Sequence, residues 1–348
     1  MSAADDHSCI RGHRLHSVFS GAKAARMTRL PTTDLYFLNA CGHAVSHWWR
    51  HGPIEPLGPN CFASEDTVVL IRRDSDLLMR RVREQPGRLI YLIDDDIEGA
   101  GESPALPSHY RDRLIRFHEN HHRALTKRAD TLVVTSPALK ERFAWHRDVR
   151  LLHPVWHLPM ADDSHFDELE RGGPIRAVHL GSGSHAAGLA YLEPVVEELL
   201  QRNLRLHFTY VGHEPSLGAL DGHARVIRIR PQSWRRYRRW IGRQRFHLGL
   251  YPVPDTPFDK ARSHNKLLEY GVIGAVGAYS KSWPAARQMK GSAIIADGER
   301  EWIEAISRLL SAPEKLRTLA TAARPALDQL NEAVTQRRFW SGLLDVVL

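Results

Sequence analysis

Four stretches of this chain have the residue types and spacing to do chemistry, and the densest lies between Leu248 and Ser280. There an apolar strand, Phe246 to Val253, breaks at Pro252 and Pro254, crosses a polar loop and gives way to a helix whose first turn holds Ser263, Asn265 and Lys266. A helix N-terminus has unpaired N–H groups and a partial positive charge, so it attracts anions. Ser263 has the side chain of an N-cap. Lys266 and Glu269 are three residues apart and share one helix face. A cation for a diphosphate beside a carboxylate for ribose hydroxyls suits a nucleotide.

The second stretch is Gly181-Ser182-Gly183-Ser184-His185, which follows the apolar run Ile175 to Leu180 and precedes a helix from about Ala186. Strand, glycine-rich turn and helix form a phosphate cradle, because missing side chains let the backbone approach an anion. His185 would either donate to that phosphate or sugar, or cap the helix. Gly181, Gly183 and Ala186 also fit G-x-G-x-x-A, but the next strand, LHFTYVG, closes without the acidic residue that a dinucleotide fingerprint expects.

The third stretch is Asp94-Asp95-Asp96, directly after the run Arg88 to Ile93. In open α/β sheets ligands collect at the carboxyl ends of strands. Three readings apply: a helix cap, a carboxylate that orients or deprotonates an acceptor hydroxyl, or Asp94 and Asp96 holding Mg²⁺ or Mn²⁺ against a diphosphate. The fourth stretch, His118-Glu119-Asn120-His121-His122, satisfies H-E-x-x-H, which puts two imidazoles one turn apart for zinc with Glu119 as base. No third ligand follows at metzincin spacing, position 125 being Leu. A solvated polar helix face is the preferred reading there.

These groups need elements to hold them. Short apolar runs at Thr67 to Arg72, Arg88 to Ile93, Thr131 to Ser136 and Val149 to His153, with the amphipathic DSDLLMRRVRE between the first two, have a βαβ rhythm and predict a parallel sheet. Asp34 to Asn39 reads as a first strand, and Ser108 to Arg128 as a long helix. Pro154 to Gly173 has the composition of a linker, which sets a domain boundary near residue 170. Strands follow at Ile175 to Leu180, Leu206 to Gly212, Arg225 to Arg230 and Ser292 to Ala296, with helices filling the remainder. SWRRYRRWIGRQR is a strongly basic helix with Trp234, Tyr237 and Ile241 on one side. It reads first as a solvated arginine surface over an aromatic packing stripe, and second as a face for anionic lipid headgroups. Residues 1–32 show no periodicity and read as a disordered or poorly anchored lead.

With 348 residues, 43% hydrophobic and 25% charged, the chain has room for two globular domains. The net charge of +8 suits an anionic partner but does not choose among nucleotide sugars, lipid diphosphates and membranes. Basic charge alone is a nonspecific signal for nucleic acid, so no nucleic-acid partner is expected. Cys9, Cys41 and Cys61 have no C-x-x-C spacing and suggest a reducing compartment. With neither a signal-peptide core nor a run of about 18 apolar residues, the expected location is cytoplasmic, with peripheral contact at the inner membrane face as an option.

The stretch from Leu248 to Ser280, with its proline-containing strand end, P-F turn, K-x-x-E-Y and small-residue strand, resembles the C-terminal domain of GT-B glycosyltransferases. The resemblance extends more weakly over residues 34–312, through Tyr91-x-Ile-Asp-Asp-Asp96 and Ala129-Asp130 before the last strand of the first half. It implies an α/β fold of two Rossmann-like parallel-sheet domains facing a central cleft, with residues 33–170 on the acceptor side. Residues 171–330 would bind the nucleotide sugar, and a helix over 331–348 would cross back to the first domain. It implies that Lys266 contacts the phosphates, Glu269 the ribose and the Gly181 to Ser184 turn the distal phosphate. One of Asp94, Asp95 and Asp96 would then serve the acceptor, which would be a glycan or a lipid-linked hydroxyl. No cofactor or metal is implied, the donor being a nucleotide diphosphate sugar. Two departures stand out: Ala261 occupies the place of a second Glu that many retaining members have, and Gly188 replaces an acidic residue after His185. In related transferases the segment SHWWRHGPIEPL is a short helix with an aromatic-Arg pair, here Trp49-Arg50, and anchoring of its aromatics to the core is preferred over acceptor binding. The expected activity is sugar transfer in bacterial surface polysaccharide or glycoconjugate synthesis. The alternatives are a zinc metallopeptidase on His118 and His122, and a degenerate GT-B domain that binds without turnover.

Overall fold

The computed structural model describes residues 28–181, 183–212 and 217–348. Two compact units divide the described residues: those within 28–98, 115–155 and 332–348 form the first, and those within 99–114 and 156–331 the second. The division falls at Val155/Trp156, ahead of the boundary near 170 that composition suggests. The reason is that the linker-like segment packs on the second unit's elements: Trp156 donates its indole N–H to Asn265 (2.9 Å) and the Ala161 amide bonds Gly271 O (3.0 Å).

The first unit opens on helix α1 (residues 31–41), whose middle is the π-helical turn Asp34–Leu38. This corrects the strand expected at Asp34 to Asn39. Leu35, Tyr36 and Phe37 are all buried, and a continuous apolar run fits a helix buried all round as well as a buried strand. Residues 28–32, assigned to a poorly anchored lead, are held in this unit: the Leu30 amide bonds Asn60 Oδ1 (2.8 Å), and Thr32 is buried. The rest of that lead, with Cys9, lies outside the described residues.

Six strands form the first sheet, in the order of the chain: β1 (Glu55–Gly58), β2 (Cys61–Ser64), β3 (Thr67–Ile71), β4 (Arg88–Ile93), β5 (Thr131–Val134) and β6 (Val149–Leu151). β3 to β6 are parallel, whereas β1 and β2 pair antiparallel as a hairpin edge that the sequence reading missed. Helices α2 (Asp76–Glu84), α3 (residues 108–128, of which 115–128 belong to this unit) and α4 (Pro137–Arg142) connect the parallel strands. α2 and α4 start on Ser75 and Ser136, whose hydroxyls accept the Leu78 and Leu139 amides.

The second unit is doubly wound and wholly parallel, in the order β12-β11-β10-β7-β8-β9. In chain order its elements are β7 (Ile175–His179), α5 (Ala186–Arg202), β8 (Leu206–Val211), β9 (Val226–Ile229), α6 (Trp234–Ile241) and β10 (Leu248–Tyr251). They continue with α7 (Asn265–Val272), β11 (Val276–Ser280), β12 (Ile294–Ala296), α8 (Gly298–Leu310) and α9 (Glu314–Leu330). Strands β7 to β9 build outward one way and β10 to β12 the other, so the order reverses between β7 and β10. Such a switch point leaves a crevice at the carboxyl ends of the two strands. Gly249 on β10 lets α7 lie close, since a Cβ there would be 2.5 Å from the Tyr270 ring.

The final helix, α10 (Ala333–Leu344), belongs to the first unit. Its Gln336 and Trp340 donate to the carbonyls of Leu35 (3.1 Å) and Tyr36 (2.8 Å), and Trp340 meets Phe37 edge-on at 4.9 Å. Two side-chain donors of the last helix therefore bond two carbonyls of the π turn of α1 in a buried place.

Candidate functional site

The switch point of the second unit brings together residues from three separated segments. After β7 the chain runs through Leu180 and Gly181, and the first turn of α7 points its lysine at that bend. Lys266 Nζ donates to Leu180 O at 2.7 Å and forms an ion pair with Glu269 Oε2. Both side chains are buried, and the ammonium lies 5.5 Å from the Tyr251 ring and 5.9 Å from that of Tyr270. Aromatic faces and a carboxylate together compensate the buried cation.

A second cation, absent from the sequence reading, flanks the same bend. Arg262 donates to Ser184 O (2.9 Å), meets His185 Nε2 at 3.4 Å and pairs with Asp259 at 2.8 Å. Arg262 thus ties the glycine-rich turn to the segment before α7. Burial, with Arg262 and Lys266 nearby, holds the His185 imidazole well below its ordinary range, so the ring is neutral. His185 stands at the N-cap position of α5 but makes no side-chain cap, so the capping reading is not what its ring does. Beneath it, fully buried His179 bonds Leu250 O through Nδ1 (2.9 Å), and its Nε2 has no hydrogen-bond partner among the described residues.

Only one glycine of the turn is sterically required. A Cβ on Gly181 would come within 2.8 Å of both His179 Nε2 and His185 Cβ, whereas Gly183 faces open space. Ser182 lies outside the described residues. Ser263 is not the N-cap expected: α7 begins at Asn265 with His264 in that position, and Ser263 Oγ accepts the Asn265 amide at 3.4 Å.

The departures from the family pattern have physical counterparts. A Cβ on Gly188 would lie 2.5 Å from Pro252 O, so α5 approaches the loop after β10 too closely for any side chain. Ala261 is buried, and no second carboxylate is offered there.

The other carboxylate of interest is also engaged by a partner no motif announces. Tyr237, on the arginine-rich helix α6, donates its hydroxyl to Glu269 Oε1 at 2.5 Å. Burial first, then the Glu269 charge, pushes the phenol well above its usual range, so it stays a donor. The aromatic side of α6 packs as expected: Ile241 is fully buried and Trp234 meets Trp156 at 5.7 Å, while Arg235, Arg236 and Arg239 are exposed.

In the first unit, the three aspartates sit where β4 ends, and each meets an arginine. Asp94 accepts from Arg72 (3.2 Å) and from the Thr32 hydroxyl, Asp95 pairs with the other arm of Arg72 (2.8 Å), and Asp96 pairs with Arg142 (2.8 Å). Carboxylates committed to guanidinium forks are poor D-x-D metal ligands. Asp94 alone keeps a buried oxygen, Oδ1, with no hydrogen-bond partner among the described residues.

The H-E-x-x-H stretch proves to be a π-helical turn, His118–His122, and the solvated face expected there is corrected in part. Glu119 and Asn120 are exposed, but His121 and His122 are buried, His122 sharing a 2.9 Å hydrogen bond with Tyr91 OH. Burial lowers the His122 pKa to about 3. Among the described residues no group of three or more His, Cys, Asp or Glu is placed to hold a metal ion.

The segment with Trp49-Arg50 is a turn rather than a short helix, closed by a bridge between His47 and Arg50. Its aromatics do not anchor to the core: Trp48 is 92% and Trp49 64% exposed. Arg50 instead holds the turn through the carbonyls of Gly42 (3.2 Å) and Val45 (3.1 Å).

No protein-family model matches the chain, and no curated protein matches it by sequence. Solved structures do match by shape. S. aureus TarM aligns with a TM-score of 0.56 at 8% identity, covering 79% of this chain and 54% of that one, so the chain spans about half of TarM's length. Anabaena HepE in complex with UDP-glucose aligns at 0.55 with 14% identity over 80% of this chain and 78% of that one. Sucrose-phosphate synthase from Thermosynechococcus elongatus aligns at 0.56 with 14% identity over 78% and 71%. The fold is GT-B. In this GT-B chain the Lys266–Glu269 pair and the Gly181 turn come from segments far apart in sequence and meet at the switch point of the second sheet. Among the described residues, no helix is long and apolar enough to cross a membrane.

Proposed function

We propose that the protein is a glycosyltransferase that moves a sugar from a nucleotide diphosphate sugar to an acceptor hydroxyl. The observation that supports this best is the buried Lys266–Glu269 pair against the Gly181 bend, with Arg262 beside it. Two cations and a close-approaching backbone suit a diphosphate. A carboxylate one helical turn away suits a vicinal diol. The solved HepE complexes hold UDP-glucose or UDP, which makes a uridine donor the first to test.

In this reading, charge developing on the leaving diphosphate is stabilised by Lys266, Arg262 and the backbone of Gly181, Gly183 and Ser184, which is electrostatic catalysis by groups already in place. Ser263, on the loop that leads into α7, lines the same anion site. His185, neutral and backed by Arg262, donates a hydrogen bond to phosphate or sugar. No metal is needed, since fixed cations supply the positive charge. On the acceptor side Asp94, at the end of β4, is the residue assigned to take a hydroxyl; its Oδ1 is buried and has no hydrogen-bond partner among the described residues. Asp95 and Asp96, paired with Arg72 and Arg142, hold the loop in place. The acceptor is a glycan or lipid-linked hydroxyl of a surface polysaccharide or glycoconjugate, and the enzyme works in the cytoplasm, at or near the inner membrane face.

The experiment is a thermal-shift screen against UDP, GDP, dTDP, CMP, NAD and zinc, repeated with Glu269→Ala. A ligand stabilises the native state by RT ln(1 + [L]/Kd). Stabilisation by one nucleoside diphosphate that disappears in Glu269→Ala supports the reading and names the base. Stabilisation by zinc alone overturns it.

A further inference from the structure

Among the described residues Glu269 has two polar side-chain partners, and they are of different kinds. On Oε2 sits the Lys266 ammonium, a compact charge with rotatable donors that fixes where the carboxylate is but little of how it is turned. On Oε1 sits the Tyr237 hydroxyl at 2.5 Å, a single directional donor on a rigid ring. A carboxylate offers about four lone-pair sites. With one taken on each oxygen, two remain, and their direction follows from the plane that the tyrosine sets.

Tyr237 is itself held. Its ring lies between Trp234 (6.0 Å, stacked) and Trp240 (5.7 Å) on α6. Trp234 meets Trp156 at 5.7 Å, and the Trp156 indole N–H bonds Asn265 Oδ1 at 2.9 Å, on the first residue of α7. α6 and α7 are therefore joined twice, once at the start of α7 and once at Glu269. We infer that Tyr237 is a positioning residue for ribose recognition: its hydroxyl turns the Glu269 carboxylate so that both free lone pairs face the 2′- and 3′-hydroxyls of a bound nucleotide. This rests on the donor-site reading above. It gives the arginine-rich helix a part in selecting ribonucleotides over 2′-deoxyribonucleotides that its composition does not suggest.

The test uses the full chain and its Tyr237→Phe variant, which keeps the ring and removes one oxygen. Binding of UDP, GDP and ADP and of their 2′-deoxy counterparts is measured by titration calorimetry, with Glu269→Gln as reference. The expected result is that wild type prefers the ribonucleotide about 10-fold, a difference of about 1.4 kcal/mol. Tyr237→Phe should weaken ribonucleotide binding about 5- to 10-fold and change deoxynucleotide binding less than about 2-fold, so that the preference collapses. A purely structural role would weaken both ligands alike, and that outcome overturns the inference. An unchanged preference in Tyr237→Phe, with Glu269→Gln abolishing it, overturns the inference while leaving the donor site standing. If wild type binds none of the six nucleotides, the role of Tyr237 fails; the donor reading fails with it when the thermal-shift screen also finds no nucleotide that stabilises the chain.

Discussion

Replacing Lys266 by Met tests whether the heart of the second unit is a buried ion pair. Methionine has nearly the same length, so packing survives while the ammonium is lost. Lys266 and Glu269 are 8% and 5% exposed, which leaves little water to take over when one partner goes. Removing one member of a buried pair costs about 3–5 kcal/mol, because the other charge is stranded. Tyr237 still donates to Glu269, a charged hydrogen bond contributing about 1.5–3 kcal/mol, so the cost should fall at the lower end, near 3 kcal/mol. The double variant Lys266→Met, Glu269→Gln removes the charge but keeps an acceptor for Tyr237, and should cost about 1–2 kcal/mol, less than the lysine change alone. With a urea m-value of about 3 kcal/mol per M, the single variant lowers the midpoint by about 1 M. The measurement is urea unfolding followed by tryptophan fluorescence and circular dichroism, at low salt and at 1 M NaCl, a concentration at which exposed pairs are screened within about 3 Å and buried ones much less. A loss under about 1 kcal/mol in the single variant, or a double variant less stable than it, would refute the argument that the two charges are buried together.

Three further outcomes are expected. His122 and His247 are fully buried, with pKa values lowered mainly by burial to about 3, and His179 likewise to about 4, all from 6.5. The unfolded chain takes up these protons first, so stability is full above pH 6.5 and falls as pH drops toward 4 and then 3, by about 2 kcal/mol per site at pH 5; urea midpoints that stay flat from pH 7 to 5 would contradict this. Gly188→Ala forces a methyl to within 2.5 Å of Pro252 O, and should cost about 1–3 kcal/mol and weaken nucleoside diphosphate binding, both read from denaturant melts and calorimetry. The double change Trp48→Ser, Trp49→Ser should leave unfolding within about 0.5 kcal/mol of wild type, because those indoles are in water; a large loss would place them in a core.

Much of the architecture was legible because its signals are local. The strands from Thr67 through Ile294 appear as short apolar runs, and the lysine and glutamate of α7 share a face whatever the rest of the chain does. The errors fall where the local signal is degenerate. Leu35, Tyr36 and Phe37 are apolar in succession, and only the docking of Gln336 and Trp340 on their carbonyls settles a π-helical turn over a strand. Trp48 and Trp49 look like core residues by type, yet Arg50 closes the turn so that they face outward.

By itself, then, the sequence determined the parallel strands, most of the helices between them, and that Lys266 and Glu269 share one helix face, because periodicity and spacing along one chain are enough for each. Tertiary structure alone decided that β7 lies beside β10, which brings Leu180 and Gly181 to the Lys266 ammonium. It also decided that Arg262 reaches Ser184, that no side chain fits at Gly188, and that Tyr237 of an apparently solvent-facing basic helix holds Glu269. These are contacts between residues tens of positions apart, fixed by strand order and by how closely two backbones approach. Neither quantity is written in any one stretch of the chain.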